Sequence, residues 1–413
     1  MGGNNRGRKR RFGNVRKLPS GRFQARYPGP DGVLRSAPET FPTQTAADEY
    51  LVDMEADMRR GDWIDPDAGK ISLKEYAETW ISERDLGDRT RELYTGYLQN
   101  HISPRIGGKM LGELTAPGIR TWRKELLDAG TGGSTVAKCY RFMRTVLNTA
   151  VDDEVIRKNP CRIKGAGQES APERPTATMD EVFAIAENIQ PRYRLLVLLA
   201  AFAQLRFGEL VALRRSDLTL PTRRRPTAEE IAKGATPSEL IDDGTPTLRV
   251  DRAIAQLDTG EQKVKGPKSD AGRRSVALPA AILPDLRQHL ATSGFTDPGP
   301  DGRLFRGPKG ATPRRNNFNG VWKAAVKAAR ANPGLHLHDL RHAGATLTAQ
   351  TGATLKEIMS RIGHASTRAA LIYQHATSKR DHEIAVALDA LIRTAREAAQ
   401  QADDKRPTDH DER

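Results

Sequence analysis

The chain has 413 residues, more than one hydrophobic core ordinarily serves, so two or three folded units are expected. The net charge is +14, and nine lysines and arginines precede the first acidic residue, which favours a polyanionic partner. The longest strongly apolar run, residues 195–203, is about half a membrane span, so nucleic acid is favoured over a membrane surface.

Residues 12–42 contain short stretches of β-forming residues broken by the turn sequences PSG and PGPDG. This pattern predicts a small antiparallel sheet, followed by a helix at about 45–60. Cations along the strands are typical of a DNA-binding module whose ribbon enters a groove, and a solubilising surface is the alternative. In this N-terminal unit, residues 1–65, the expected DNA contacts are Arg16, Lys17, Arg22 and Arg26.

The second predicted unit, residues 70–160, is all-α. Ser72 and Glu75 have the spacing of a capping box at its start. Gly- and Pro-rich turns separate its helical segments. The pattern predicts four helices, near 73–84, 90–103, 116–129 and 135–153.

The last of these helices has two faces of different composition. An apolar stripe is expected to enter the core and consists of Val136, Cys139, Tyr140, Met143 and Leu147. Another face carries two cations, a hydroxyl and an amide without an acid, namely Lys138, Arg141, Thr145 and Asn148. Such a face suits phosphate contact, so Lys138 and Arg141 are expected to bind DNA, and a simply solvated face is the alternative.

The third predicted unit, residues 175–395, follows a Pro-containing linker at 158–176. Thr178 and Glu181 indicate a capping box at its first helix. The pattern predicts a mixed α/β, mainly α unit, with an apolar helix at 191–204, an inserted surface loop at 221–246, β-rich segments at 247–257 and 262–278, and further helices. Residues 396–413 are a polar tail that is expected to stay disordered.

Cysteine usage limits the kind of site that the chain can hold. The only two cysteines are Cys139 and Cys161, with no CxxC pair. This fits a reducing cytoplasm and excludes a disulfide framework and a cysteine-based zinc finger.

The densest group of chemically active side chains is HLHDLRH, residues 336–342. Two of its histidines, His338 and His342, lie four residues apart, so one interpretation is a metal site with His336 or His364 as a further ligand. Against this, Arg341 lies one helical turn from His338, and a fixed cation beside a metal ion costs Coulomb energy. No metal is therefore expected. A structural interpretation, with Asp339 capping a helix beside surface histidines, also stays open.

Three further segments accompany this group: AQLRFGELVAL at 203–213, PKSDAGRRSVALP at 267–279 and RIGHASTRAALIYQHA at 361–376. Together the four segments resemble the tyrosine recombinase family, the phage integrases and their relatives. That family has an Arg-x-x-Glu-Leu, a hairpin Lys, a His-x-x-Arg, a Gly-His and a Tyr in this order. The resemblance covers roughly 70–395, and the N-terminal sheet resembles, less specifically, the arm-binding modules of phage-type integrases.

The residue types suit metal-free cleavage of a DNA phosphodiester, which needs a nucleophile, cations around the phosphoryl oxygens and a proton for the leaving oxygen. The resemblance implies that Tyr373 is the nucleophile and Lys268 the acid for the 5′-hydroxyl. It also implies that Arg206 and Arg341 bind the phosphoryl oxygens. The remaining expected roles are proton acceptor or phosphate contact for His338, phosphate donor for His364 and orientation of the cations for Glu209.

The sequence is therefore interpreted as a site-specific recombinase with an arm-binding domain (1–65), a helical core-binding domain (70–160) and a catalytic domain (175–395). The resemblance implies strand exchange through a 3′-phosphotyrosyl intermediate and a Holliday junction, within a homotetramer on double-stranded attachment DNA. No cofactor and no membrane are expected, accessory DNA-bending or directionality factors are possible partners, and a nucleoid-associated location in a bacterial cytoplasm is expected.

Two other functions remain open from the sequence. The first is a non-catalytic DNA-binding regulator with the same fold, and the second is a metal-dependent nuclease. A C-terminal helix at about 380–398, with Ile384, Leu388 and Leu391 in one stripe, is expected to dock on a neighbouring protomer, although packing on its own domain would also cover the stripe.

Overall fold

The computed structural model of the protein describes residues 12–169, 174–267 and 270–363. The chain divides into two compact units, one ending at Pro172 and the other beginning at Glu173. Within the described ranges, no helix combines the length and the hydropathy that crossing a membrane requires. The predicted C-terminal helix and polar tail lie outside the described residues.

The first unit opens with the predicted antiparallel sheet and helix, which the structure confirms. Strands β1 (Asn14–Lys17), β2 (Phe23–Pro28) and β3 (Leu34–Ser36) pair in that order, and α1 (Gln44–Arg60) packs against them. Side chains alternate across a strand, so one face of the sheet enters a core with α1 and the other remains outside. The fully buried members of this core include Ala25, Tyr27, Ala47 and Leu51.

A helical region follows in the same unit. Its elements are α2 (Leu73–Glu83), α3 (Asp88–Tyr97), α4 (Ala116–Asp128) and α5 (Gly133–Asp152). The second predicted helix differs from the prediction, because α3 continues directly into a π-helical segment, Leu98–Gly107, that contains Pro104. Proline has no backbone N–H to give to a regular helical ladder, so this stretch departs from α-geometry. The apolar stripe predicted for α5 is confirmed, since its five side chains are at most 1% exposed.

The segment after α5 is irregular, as predicted, but it is not a free linker along its described part. Cys161 and Ala166 are buried in the same core as α5. Asn159 donates to the backbone carbonyl of Arg144 and to the side chain of Asn148, both on α5. The start of the predicted linker is thus part of the helical region.

The second unit is built around one apolar helix. Helix α6 (Met179–Asn188) begins at the predicted Thr178 capping box and is followed by α7 (Pro191–Phe202) and α8 (Phe207–Leu210). Residues 195–201 of α7 are at most 1% exposed, because α6 and later helices surround α7. Helix α9 (Ala228–Ala232) lies in the inserted segment, and the later helices are α10 (Leu283–Ala291), α11 (Arg315–Ala328), α12 (Leu337–Gln350) and α13 (Leu355–Ile362).

The strands of the second unit are short and antiparallel. One sheet has β7 (Thr247–Val250) between β4 (Leu218–Thr219) and β10 (Arg274–Ala277), and a separate hairpin joins β8 (Ala253–Gln256) to β9 (Gln262–Lys265). The predicted β-rich segments are therefore confirmed.

The segment 221–246 lies at the surface, as predicted, but it contains regular secondary structure where a loop was expected. Strands β5 (Thr222–Arg224) and β6 (Ile241–Asp243) pair around helix α9. Thr227 caps this helix, and the guanidinium of Arg224 donates to both carboxylate oxygens of Glu230 at 2.8 Å. Local capping and ion pairing therefore order a segment whose proline and charge content indicated a loop.

Candidate active site

The turn between α7 and α8 brings Arg206 next to α12. Gln204, in this turn, has a positive φ of 57°. The Gln204 amide donates to the Gly344 carbonyl at 2.9 Å and to the Thr348 hydroxyl at 2.6 Å on α12. A side chain at Gly344 would place its Cβ only 1.9 Å from the Ala201 carbonyl oxygen, so glycine permits this close approach of the two helices.

Glu209 lies at the centre of three arginines. Its carboxylate accepts from the backbone N–H and the guanidinium of Arg206, each at 3.0 Å. It also accepts from the guanidinium of Arg274 at 3.0 and 3.3 Å, and Arg341 is 3.8 Å away. Burial alone would raise the pKa of Glu209, but the hydrogen bonds and charge of Arg274, with Arg206 and Arg341, lower it. The carboxylate is therefore ionised at neutral pH.

The two predicted phosphate-binding arginines have different surroundings. The side chain of Arg206 is 43% exposed, whereas that of Arg341 is 1% exposed. Arg341 donates to the backbone carbonyls of Gln204 and Ile362, so it connects the end of α7 to the end of α13. Arg206 can reach a ligand in solvent directly, while Arg341 also holds the helices of the site together.

His338 lies on the first turn of α12, near Arg206 and Arg341. Its pKa is lowered to about 4 because the surrounding protein desolvates the ring and because His342, Arg341 and Arg206 are positive neighbours. The residue is nonetheless exposed to water, which weakens the effect of the neighbouring charges on its pKa. Since the ordinary pKa of histidine already lies below 7, the imidazole is neutral at pH 7 in either case. A neutral imidazole can accept a proton or a hydrogen bond.

The other two histidines of this segment, His336 and His342, contact neighbouring residues of the same segment. His336 precedes α12, and its backbone N–H donates to Asp339 at 2.7 Å, which confirms Asp339 as a capping residue. Asp339 is also ion-paired with Arg174 at 2.6 Å. The ring of His342 packs edge-on against His338 with 5.0 Å between centroids. Among the described residues, no group of three His, Cys, Asp or Glu side chains has an arrangement that could hold a metal ion.

Three predicted catalytic residues, Lys268, His364 and Tyr373, lie outside the described residues. The structure does describe their neighbours Pro267 and Gly363. The site therefore brings together Arg206, Glu209, His338 and Arg341, which are four of the seven residues predicted for the catalytic site.

Arg274 was missed by sequence reasoning, although it contacts Glu209 directly. Its side chain points inward from β10 together with Val276, since residues 274–277 alternate between buried and exposed. The sequence signal was available, because Arg274, Val276 and Leu278 have the two-residue period of one strand face. An arginine on that face indicates a buried charge with a partner elsewhere in the fold.

The predicted DNA contacts of the N-terminal sheet fall into two groups. Arg16 and Arg26 share the face opposite the α1 core with Gln24, which is paired with Arg16 across the strands. Arg22 donates to the Thr40 hydroxyl at 2.7 Å, and Lys17 lies over the Phe23 ring at 5.9 Å. Arg16 and Arg26 are thus the two predicted cations on the outer face of the sheet.

The face of α5 predicted to contact DNA carries no acid of its own, but in the folded protein an acid from another segment lies on it. Glu169, from the segment predicted as a linker, lies on that face and accepts from Arg141 at 2.5 Å, from Lys138 at 3.3 Å and from Ser134. These hydrogen bonds lower the pKa of Glu169 to about 2. The two cations expected to bind DNA are therefore ion-paired within the protein.

Three family models match parts of the chain. The family model described as "Phage integrase family" matches residues 237–380, "Phage integrase, N-terminal SAM-like domain" matches 72–127, and "Phage integrase, N-terminal domain" matches 11–60. The chain is 37% identical to a putative prophage phiRv2 integrase of Mycobacterium tuberculosis, covering 93% of this chain and 96% of that protein. It is 34% identical to the integrase of Mycobacterium phage L5, covering 94% of this chain and 100% of that protein.

Solved structures agree on the fold. A structure of the Tn1549 transposon integrase in complex with a circular intermediate DNA has a TM-score of 0.63 at 17% identity, covering 77% of this chain and 99% of that chain. A lambda integrase dimer bound to a core site has a TM-score of 0.51 at 16% identity, covering 89% of this chain and 97% of that chain. Since the mycobacterial relatives exceed 30% identity over nearly the whole length, the chain belongs to the phage integrase family of tyrosine recombinases.

Proposed function

We propose that this protein is an integrase, a site-specific DNA recombinase that cuts and rejoins DNA through a covalent 3′-phosphotyrosyl intermediate and integrates a mobile element. The observation that carries the proposal is the meeting of Arg206, Glu209, His338 and Arg341 at one site. This meeting occurs in a chain that aligns with phage and prophage integrases over nearly its full length.

The proposed reaction is a transesterification. The Tyr373 hydroxyl attacks the scissile phosphorus, an O–P bond to the tyrosine forms, and the bond to the 5′ oxygen breaks. A proton leaves the tyrosine as it attacks, and Lys268 gives a proton to the departing 5′ oxygen. The phosphodiester energy is kept in the phosphotyrosyl bond, so rejoining needs no nucleotide.

Arg206 and Arg341 are proposed to neutralise the non-bridging oxygens of the phosphate. Charge grows on these oxygens in the transition state, and fixed guanidinium donors stabilise it without reorganisation. The exposure of Arg206 and the ion pair with Glu209 support this role, because Glu209 restricts the side chain while leaving part of it open to solvent. Glu209 is proposed to orient the arginines.

His338 is proposed to accept the tyrosine proton or to contact the phosphate. Support comes from its place on the first turn of α12 near Arg206 and Arg341, and from its neutral ring, which can accept a hydrogen bond at neutral pH. His364 is proposed as a hydrogen-bond donor to the phosphate.

The proposed domains are an arm-binding domain over 1–65, a four-helix core-binding domain over 70–160, a catalytic domain over 175–395 and a polar tail over 396–413. Separate hydrophobic cores in the first two regions support this division. The proposed partner is double-stranded attachment DNA, bound by a homotetramer with accessory bending or directionality factors. A lambda integrase tetramer bound to a Holliday junction, with a TM-score of 0.51, supports the tetramer by analogy.

The test is recombination between two candidate attachment DNAs in the presence of a metal chelator. We expect recombinant joints, because the proposed chemistry uses only side chains. Binding without any strand cleavage would instead indicate a DNA-binding regulator. Cleavage that disappears with the chelator would indicate a metal-dependent nuclease.

A further inference from the structure

Arg274 is a buried arginine directly beside the candidate active site. It is the first residue of β10, seven positions after Pro267. Only 4% of its side chain is exposed. Removing a guanidinium from water is costly unless its N–H groups find partners and an opposite charge compensates it.

The contacts of Arg274 reach two other segments. Two of its nitrogens donate to the two carboxylate oxygens of Glu209, at 3.0 and 3.3 Å. The Nε donates to the backbone carbonyl of Arg361 at 2.9 Å, and Nη1 also donates to the carbonyl of Gly272 at 3.2 Å. One planar group therefore joins α8, the start of β10 and the end of α13.

The backbone beyond α13 is shaped to receive this guanidinium. Gly363 has a left-handed φ of 66°, which favours glycine. A Cβ at Gly363 would lie 2.9 Å from Nη1 of Arg274 and 3.1 Å from the Ala271 carbonyl oxygen. Arg274 is thus packed against the backbone of the residue that precedes His364.

We infer that Arg274 is a positioning residue for strand cleavage, which fixes Glu209, and through it Arg206, relative to the segments that carry Lys268 and His364. The inference rests on the proposed function. At 4% exposure the side chain has no surface to offer to DNA, so it acts through Glu209 and the backbone. A bidentate fork with a third donor along its edge makes this three-way connection, which a lysine ammonium cannot reproduce.

The first experiment separates cleavage from binding. Adduct formation is measured under single-turnover conditions with saturating protein on a nicked core site, together with core-DNA affinity and the thermal unfolding midpoint. We expect Arg274→Lys to bind with unchanged affinity and to cleave roughly 100-fold more slowly, because small misplacements of reacting groups have effects of this size. Arg287→Lys is the matched control, since it makes the same change in an arginine–carboxylate pair with Asp242 in the same unit. It should cleave at the wild-type rate.

The second experiment distinguishes positioning from a purely structural ion pair. Charged groups that face Glu209 are Arg206 from the start of its own helix, Arg274 from β10 and Arg341 from α12. Arg274→Met removes one of these positive neighbours, which raises the pKa of Glu209. The cleavage defect should therefore be largest at acid pH, where Glu209 is protonated in the variant, and should narrow as pH rises and Glu209 ionises. Combined with Glu209→Gln, it should add little further loss, since both changes break the same interaction.

A wild-type rate for Arg274→Lys would overturn the inference. Additive losses in the double variant, together with a pH-independent defect of Arg274→Met, would overturn it as well. If Arg274→Met does not fold, the lysine variant alone decides, because it keeps the charge. Failure of the proposed function is distinguishable, because the wild-type protein would then form no adduct at all.

Discussion

Arg341 is buried and Arg206 is partly exposed, so replacing each of them with lysine should change the stability of the protein by different amounts. Arg341→Lys removes two hydrogen bonds to backbone carbonyls in addition to the proposed phosphate contact. We expect it to abolish detectable cleavage and to reduce the free energy of unfolding by about 3 kcal/mol, the size of hydrogen bonds made by charged groups. Arg206→Lys should slow cleavage with a much smaller change in stability, because Arg206 is partly exposed. Denaturant unfolding and adduct assays on both variants check this, and equal stability losses would contradict it.

The low pKa of His338 predicts a pH dependence of stability. Its folded-state pKa of about 4 lies below the ordinary value of 6.5, so between these values the unfolded chain binds a proton that the folded chain does not. Stability is therefore lost as pH falls from 6.5 towards 4, and His338→Gln should weaken this dependence. Comparison of unfolding free energies at pH 7 and pH 5 for the two proteins tests it. An unchanged or steeper dependence in the variant would show that the folded pKa is not depressed.

At the scale of elements, Glu169 is expected to compete with DNA phosphates for two cations of α5, Lys138 and Arg141. Glu169→Gln should free Lys138 and Arg141 and so tighten core-DNA binding. Each additional phosphate contact should steepen the log–log salt dependence by roughly 0.9. Glu125→Gln, an exposed acid on α4, gives the same change in net charge and should leave both quantities nearly unchanged. Binding titrations over a range of salt measure both, and weaker binding by Glu169→Gln would mean that Glu169 instead supports the DNA-binding face.

The elements differ in how much of them the sequence could predict, and the reason is the range of the interactions involved. The core stripe of α5 and the strands of the N-terminal sheet follow from local periodicity, so they were predicted correctly. The partners of Arg274 and of Lys138 lie 65 and 31 residues away along the chain, at Glu209 and Glu169. Such pairs exist only after folding, which explains why Arg274 was missed and why the α5 face was expected to lack an acid.

The inserted segment between β4 and β7 was mispredicted for a different reason. Proline and dense charge are common in loops, but here Arg224 and Glu230 pair locally and the residues after Thr227 form one capped turn of helix. In contrast, Arg206, Glu209, His338 and Arg341 could be singled out from the sequence, because they lie in two short motifs that resemble those of the tyrosine recombinases.

At the scale of the whole molecule, residues 1–65 are expected to bind DNA sites separate from those where strands are cut. The N-terminal sheet has its own core and carries Arg16 and Arg26 on its outer face. We predict that a fragment beginning at Ile71 still forms the covalent adduct on a core site but loses high-affinity binding to flanking arm sites, and with it integration. Footprinting compares the two proteins, and identical protection by both would show that the N-terminal region does not bind arm sites.

The central claim is that Tyr373 becomes covalently joined to DNA, and its most direct test is to identify the residue in the adduct. The protein is trapped on a nicked core site, digested with trypsin and nuclease, and the phosphorylated peptide is sequenced by mass spectrometry. Trypsin is expected to release residues 369–379, AALIYQHATSK, in which Tyr373 is the only tyrosine. We predict that the nucleotide phosphate is attached to this peptide at Tyr373 and that Tyr373→Phe binds the same DNA but forms no adduct. Attachment at any other residue, or an adduct formed by Tyr373→Phe, would contradict the account.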